Sequence, residues 1–359
     1  MVFIGRVMKK IKIFLGAYVN FPNAQNVNCD NIARYLDKEK FEVHTMYTGK
    51  MPIDKKIYKE QGIHLHKLIH HRFIWYWCKY TRMLFGNYDI YYLPKMESID
   101  ERFAKKHPNK CCVSSIEGVV GEQIETNNLY AKTFLTKIMK DSFSISRCIQ
   151  ESAKKHWGFE SNVLYLGIDQ IEENITFKEN VKTVVWIGSV IKRKRPEYFL
   201  ECAKEFPNLK FVLIGDGDQF FYIQERIKKE NINNVVCLGR IPNRMVYKVL
   251  KEADLFLMTS DKEGLPKVIG EAMSQRVPVI YINECYEVDY IQNGVNGFAV
   301  SDLETMREKI QFLLDDPIIY QKISNAAYES IQPYTWKNVI KQYEKYFEKV
   351  YEQNKGKVK

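Results

Sequence analysis

Nowhere in its 359 residues does this chain run apolar for the ~20 positions that a membrane-spanning helix needs. The stretch closest to an export signal lies at the N-terminus. It is broken by Arg6, Lys9, Lys10 and Lys12, so "IKIFLGAYV" reads as a first buried strand, and the expected compartment is the cytoplasm. Internal repeats and low-complexity segments are also missing. None of the eight cysteines stands in a CxxC pair: Cys29, Cys78, Cys148, Cys202, Cys237 and Cys285 are scattered, and Cys111 and Cys112 are adjacent. That excludes the usual zinc-ribbon and thioredoxin-like spacings and leaves reduced, mostly buried thiols. His64, His66, His70 and His71 crowd together, but no cysteine or carboxylate follows at ligand spacing. They are therefore expected to be strand or surface histidines rather than metal ligands.

What is present is a globular composition, with 45% hydrophobic and 27% charged residues, in a chain too long for one ordinary core. Short β-branched apolar runs alternate with helical patterns. In the first half these runs are "KIKIFLGAYV", "FEVHTMY", "DIYYLP", "CCVSSIE", "HWGF" and "VLYLG". In the second they are "TVVWIGSV", "LKFVLIGDG", "VVCLGRI", "LFLMTS" and "VPVIYI". Strands buried on both faces with room for crossover helices predict an α/β protein with parallel sheets. The polar segment 167–180 suggests a boundary. The expected organisation is a domain over 1–168, a second over 169–332, and a C-terminal helix and tail over 333–359. Ligands would bind in a cleft, off the carboxyl ends of the strands. In the tail, Trp336, Tyr343, Tyr346, Phe347 and Tyr351 recur at helical spacing and mark a docking helix.

Charge is uneven. Residues 1–170 hold 26 Lys+Arg against 17 Asp+Glu, whereas residues 171–359 hold 28 against 27. A basic first half suits an anionic partner, whether nucleic acid, membrane surface or phosphorylated substrate; solvated lysines are the plainer reading. Residues 70–85, "HHRFIWYWCKYTRMLF", mix aromatics with Arg72, Lys79 and Arg82. As a helix this segment suits either a membrane interface or a core position with exposed charges.

The most informative stretch is "EGLPKVIGEAM", residues 263–273, preceded by a strand and a loop. Pro266 suits the first position of a helix that stops before Pro278. Glu263 then lies in the loop and Glu271 more than one turn inside. A helix start offers free N–H groups to phosphate, and Gly264 lets backbone approach closely. Two carboxylates flanking such a start suit hydroxyls at the two ends of one ligand with a diphosphate in its middle, the shape of a nucleotide sugar.

This stretch resembles the E-x7-E motif of the retaining glycosyltransferases with two Rossmann-like domains (the GT-B fold), of the group 1 type, family 4. In the family's order, "WIGSVIKRKRP" resembles its Gly-x5-Lys loop with Gly188 and Lys194 in place. "VLIGDGD" with Gly215 resembles its glycine-rich turn, and "NGVNGFAV" the segment after the motif. Likeness is good over 181–300 and thin in the first half, where it rests on a first strand leading to a loop and on "VLYLGID", which resembles the family's Gly-x-Asp ending. The resemblance implies two Rossmann-like domains facing a central cleft, with the C-terminal helix packing back toward the first. Glu263 would hold donor-hexose hydroxyls and Glu271 ribose hydroxyls. The backbone of Gly264, Leu265 and Pro266, with Lys194, would hold the diphosphate, and Arg240 and Ile241 would flank the base. Gly16, Gly188, Ser189, Gly215 and Lys267 are counted with the binding residues. No metal or other cofactor is expected, since cations and amides do the neutralising.

Two departures stand out. The family's phosphate-loop arginine is here Ser189, for which Lys192, Arg193 or Arg195 would substitute. The family's first-domain histidine is here Glu117, which would orient the acceptor hydroxyl. "GDGDQF", residues 215–220, lacks the third glycine of a dinucleotide fingerprint and sits on the wrong strand for one. The expected function is hexosyl transfer from a nucleoside-diphosphate sugar to a glycan or lipid-linked acceptor in surface polysaccharide or glycoconjugate synthesis. The protein would sit peripherally at the inner face of the cell membrane. A catalytically silent partner subunit of the same fold is the nearer alternative. A nucleic-acid-binding protein is the more distant one, and no nucleic-acid partner is expected.

Overall fold

The computed structural model describes residues 9–21, 23–69, 74–120, 126–169, 175, 177–284 and 286–355. The chain divides into two compact units, Met1–Gly167 with Trp336–Lys359, and Ile168–Thr335.

In the first unit, strands β1 (Ile11–Tyr18), β2 (Phe41–Thr48), β3 (Ile63–Leu68), β4 (Ile90–Tyr92), β5 (Cys112–Ile116), β6 (Asp141–Ser144) and β7 (Asn162–Val163) form one sheet in the order β3-β2-β1-β4-β5-β6-β7. Every pairing is parallel. The helices between strands are α1 (Ala24–Tyr35), α2 (Lys55–Glu60), α3 (Ile74–Phe85), α4 (Ser98–Lys106), α5 (Thr126–Thr133) and α6 (Arg147–Trp157). β1 lies mid-sheet, so Ile13, Phe14, Leu15 and Ala17 are all fully buried and the strand reads as a continuous apolar run.

"HWGF" is not a strand. Its first two residues close α6, and Gly158 caps that helix at φ +66°, a left-handed position that favours glycine. β3 and β6 escape the apolar-run reading because their sequences, IHLHKL and DSFS, are largely polar. The serines of β6 are nonetheless buried, and Ser142 satisfies its hydroxyl by donating to the Leu135 carbonyl at 2.7 Å.

The second unit repeats the plan. β8 (Thr183–Ile187), β9 (Lys210–Ile214), β10 (Val235–Gly239), β11 (Leu255–Met258), β12 (Val279–Ile282) and β13 (Phe298–Val300) lie in the order β10-β9-β8-β11-β12-β13, all parallel. The helices are α7 (Pro196–Glu205), α8 (Phe220–Lys229), α9 (Asn243–Glu252), α10 (Lys267–Met273), α11 (Leu303–Asp315) and α12 (Pro317–Ile331). Its core gathers Trp186, Phe199, Phe211, Leu257, Ile280 and Tyr320. The chain then returns to the first unit as α13 (Trp336–Asn354). There Trp336, Val339, Ile340, Tyr343, Tyr346, Phe347 and Val350 form one buried stripe, while Tyr351 is half-buried. A Cβ at Gly167 would lie 2.2 Å from the Trp336 ring, so this packing admits no side chain there.

Among the described residues no helix is long and apolar enough to cross a membrane. Lys79 of α3 does not lie on an outward basic face: it is fully buried, while Trp77 and Phe85 of the same helix are exposed. Arg72, expected to share a face with Lys79, lies outside the described residues, as do His70 and His71.

Candidate active site

Strand order reverses between β8 and β11, which are neighbours although β9 and β10 lie on the other side of β8. Loops leaving the carboxyl ends of two such strands diverge, and the space between them is where α/β sheets take ligands. Gly188 to Arg195 leave β8, and Thr259 to Pro266 leave β11.

A chain of hydrogen bonds ties the two loops. The Trp186 indole N–H donates to Thr259 Oγ1 at 2.9 Å, and the Thr259 hydroxyl donates to the Lys194 carbonyl at 2.6 Å. The Asp261 N–H reaches the Arg193 carbonyl at 3.1 Å. The β9 loop also presses in. Gly215 has φ +139°, and a Cβ there would fall 1.7 Å from the Gly188 carbonyl oxygen, so glycine is required. At Gly188 an added Cβ would meet only ordinary contact with Trp186.

The basic run Lys192–Arg195 resolves into distinct fates. Lys192 to Lys194 form a single 3-10 turn, Arg195 turns left-handed at φ +46°, and Pro196 starts α7. Lys194 Nζ donates to Glu263 Oε1, and Arg193 reaches the same oxygen at 3.3 Å. The side chains of Lys194 and Glu263 are 14% and 13% exposed, neither sealed off nor fully hydrated. Arg195 instead pairs with Glu284 at 2.6 Å, and Lys192 is exposed. Of the three cations considered as stand-ins beside exposed Ser189, only Arg193 therefore joins Lys194 at Glu263.

Pro266 is not the first helical residue. It caps α10 in an extended conformation (φ −75°, ψ 91°), and its carbonyl accepts from the Tyr290 hydroxyl at 3.0 Å. α10 itself has only seven residues, so its dipole is short and the positive charge here is mainly that of Lys194 and Arg193. Gly264 is half-buried, as is Lys267, and Leu265 is 9% exposed. Glu271 is the fifth residue of α10. Burial raises its carboxyl above the ordinary range against the opposing pull of Lys267, Asp169 adds to the rise, and a Tyr247 hydrogen bond lowers it. Arg240 is exposed and Ile241 half-buried on the loop after β10.

Tyr286 escaped the sequence reading. It is 3% exposed and feels the Glu263 charge. Its hydroxyl is buried with no hydrogen-bond partner among the described residues. A buried orphan hydroxyl costs ~1–3 kcal/mol, which a ligand hydrogen bond would recover. No local spacing signals it, because it arrives from the loop after β12.

In the first unit, Gly16 is buried in β1. A Cβ there would come within 2.7 Å of Leu93 Cδ2, and its carbonyl accepts from Lys79 Nζ at 3.2 Å. Lys79 also meets Glu97 and Asp100, each at 2.7 Å. Burial alone would lower the Lys79 pKa, but the two carboxylates outweigh it and hold the ammonium charged. Glu117 follows β5. Burial pushes its carboxyl up to about 7, while a hydrogen bond from the Ser115 hydroxyl (2.8 Å) and the charge of Lys95 hold it down from going further.

Residues 167–330 match the family model described as Glycosyl transferases group 1. A relative named for teichuronic acid biosynthesis, the glycosyltransferase TuaC of Bacillus subtilis (strain 168), is 30% identical over 53% of this chain. The match spans only about half (50%) of that relative's length. The N-acetyl-alpha-D-glucosaminyl L-malate synthase of Bacillus anthracis is 22% identical over 97% of this chain and 100% of its own. Among solved structures, Anabaena Alr3699/HepE in complex with UDP and glucose superposes with a TM-score of 0.78, at 17% identity, over 94% of this chain and 100% of that one. The fold is thus the two-Rossmann α/β architecture of the GT-B glycosyltransferases, and the match to the group 1 glycosyltransferase model falls almost wholly on the second unit.

Proposed function

We propose that this chain is a retaining glycosyltransferase of the family 4 type. It moves a hexose from a nucleoside-diphosphate sugar to a glycan or lipid-linked acceptor in cell-surface polysaccharide or glycoconjugate synthesis. The observation that carries this is the convergence of Lys194 and Arg193 on Glu263 at the strand-order reversal of the second unit, with Glu271 following on α10. When donor arrives, its diphosphate takes over Lys194 and Arg193 and the backbone N–H groups of Gly264 and Leu265. Glu263, released from its lysine, accepts hydrogen bonds from hexose hydroxyls. Glu271 accepts from the ribose, and Arg240 and Ile241 flank the base. Charge on the leaving diphosphate is stabilised by side-chain cations and amides, without a metal.

The first unit takes the acceptor, and Glu117 orients its hydroxyl. The excess of basic residues in this half and the exposed Trp77 and Phe85 support peripheral attachment to an anionic membrane at the cytoplasmic face.

The test is release of nucleoside diphosphate from a panel of nucleotide sugars, with membrane extract supplying the acceptor. Wild type releases product from one donor class, and Glu263→Ala lowers transfer at least a hundredfold while folding normally. Near-normal transfer by Glu263→Ala overturns the assignment. Donor binding without turnover under any condition points to the silent-subunit reading, which Ser189 and Glu117 favour.

A further inference from the structure

In three dimensions the crowded histidines meet the carboxylate that linear spacing denied them. β2 and β3 pair in parallel with His44 opposite His64 and Met46 opposite His66. Side chains two apart on a strand share a face, so Glu42, His44, His64 and His66 all lie on one side of the sheet. His44 Nε2 lies 2.7 Å from Glu42 Oε1, and His44 Nδ1 lies 2.9 Å from His66 Nε2. The rings of His44 and His64 stack at 4.5 Å. One ligand atom each from Glu42, His44 and His64 falls within 4.8 Å of the other two.

We propose that Glu42, His44 and His64 bind a divalent transition-metal ion of the zinc class, which clips the edge strand β3 to β2. Two imidazoles and a carboxylate are a donor set that zinc accepts, with a water completing the shell. Metal–nitrogen and metal–oxygen distances near ~2 Å need the three atoms to close to within ~3.5 Å. The two that must move are the two that are free to: His64 is exposed and the Glu42 side chain is 39% exposed. His44 is the fixed ligand, at 6% exposure. Its second nitrogen faces His66, so the ring already has the outer-shell partner that metal-bound histidines use to set their tautomer. Lys12 Nζ, 3.5 Å from Glu42 Oε1, is the cation that the metal displaces. The site lies in the first unit and is independent of the proposed donor machinery.

The test is titration of the chelator-stripped full chain with Zn2+, followed by calorimetry and by the thermal midpoint. His64→Asn and Glu42→Gln serve as variants because both positions reach solvent. Wild type is expected to bind one equivalent more than either variant, or to bind it at least tenfold more tightly, and to gain a Zn2+-dependent rise in midpoint that the variants lack. Co2+ should give a visible absorption band in wild type that His64→Asn loses. Equal stoichiometry, affinity and midpoint shift in all three proteins overturn the proposal, and so does no binding by wild type.

Discussion

Both units carry the same strand order around a central reversal, yet they handle charge in opposite ways. In the first, Lys79 is sealed at 0% exposure between Glu97 and Asp100, with Gly16 and Tyr18 completing the network. In the second, Lys194 and Glu263 keep about one seventh of their surface in water and sit beside the orphan hydroxyl of Tyr286. A cation with none of its surface in water is committed to the partners it has and holds structure. A half-open one can exchange partners, which is what a ligand site requires. Lys79 therefore reads as a strut under the β1 terminus, and Lys194 as a cation still open to exchange.

That contrast is tested most severely at Lys79. Lys79→Met leaves the buried carboxylate of Asp100 and the partly exposed one of Glu97 without their cation and should cost ~3–5 kcal/mol of unfolding free energy by denaturant titration. A cost confined to donor binding, with no loss of stability, would erase the distinction. Lys194→Ala should do the reverse: thermal midpoint nearly unchanged, nucleoside diphosphate affinity reduced ~10–150-fold for the loss of one charge-assisted contact. Glu271→Gln should weaken donor binding about tenfold by calorimetry and leave the rate at saturation less affected, since the proposed ribose contact is remote from the reacting carbon.

A pH-dependent effect is expected at Glu117. Its folded pKa of about 7 stands above the ordinary 4.5, so between those values the folded chain keeps a proton that the unfolded chain has released. Stability contributed by this group is therefore present below pH 4.5 and lost as pH rises through 7. Glu117→Gln should flatten that fall in a pH series of midpoints. It should also remove any rise in transfer rate centred near pH 7.

Much of this architecture could be read from local chemistry. β8, β9, β11 and β12 announce themselves as short β-branched runs, and α13 by its aromatic spacing, because burial on both faces or on one stripe imposes a period on the sequence. β3 and β6 could not be read that way: β3 buries only its end residues Ile63 and Leu68 and carries histidines between them, while β6 fills buried positions with serines whose hydroxyls find partners only once the sheet is built. Pro266 shows the limit at a boundary. Proline fits both a cap and a first turn, and the Tyr290 contact selects between them.

The sequence by itself determined the alternation of strands and helices, the excess of positive charge in the first half, and the pairing of Glu263 with Glu271 around a glycine and a proline. These follow from nearest neighbours and from helical or strand periodicity. Tertiary structure alone decided which basic residue meets Glu263 across 69 positions, that Lys79 turns inward, that the Tyr286 hydroxyl is buried without a hydrogen-bond partner among the described residues, and that Glu42 and His44 come close to His64. Such meetings depend on how strands register and loops return. A parallel sheet brings together residues that no local interaction relates.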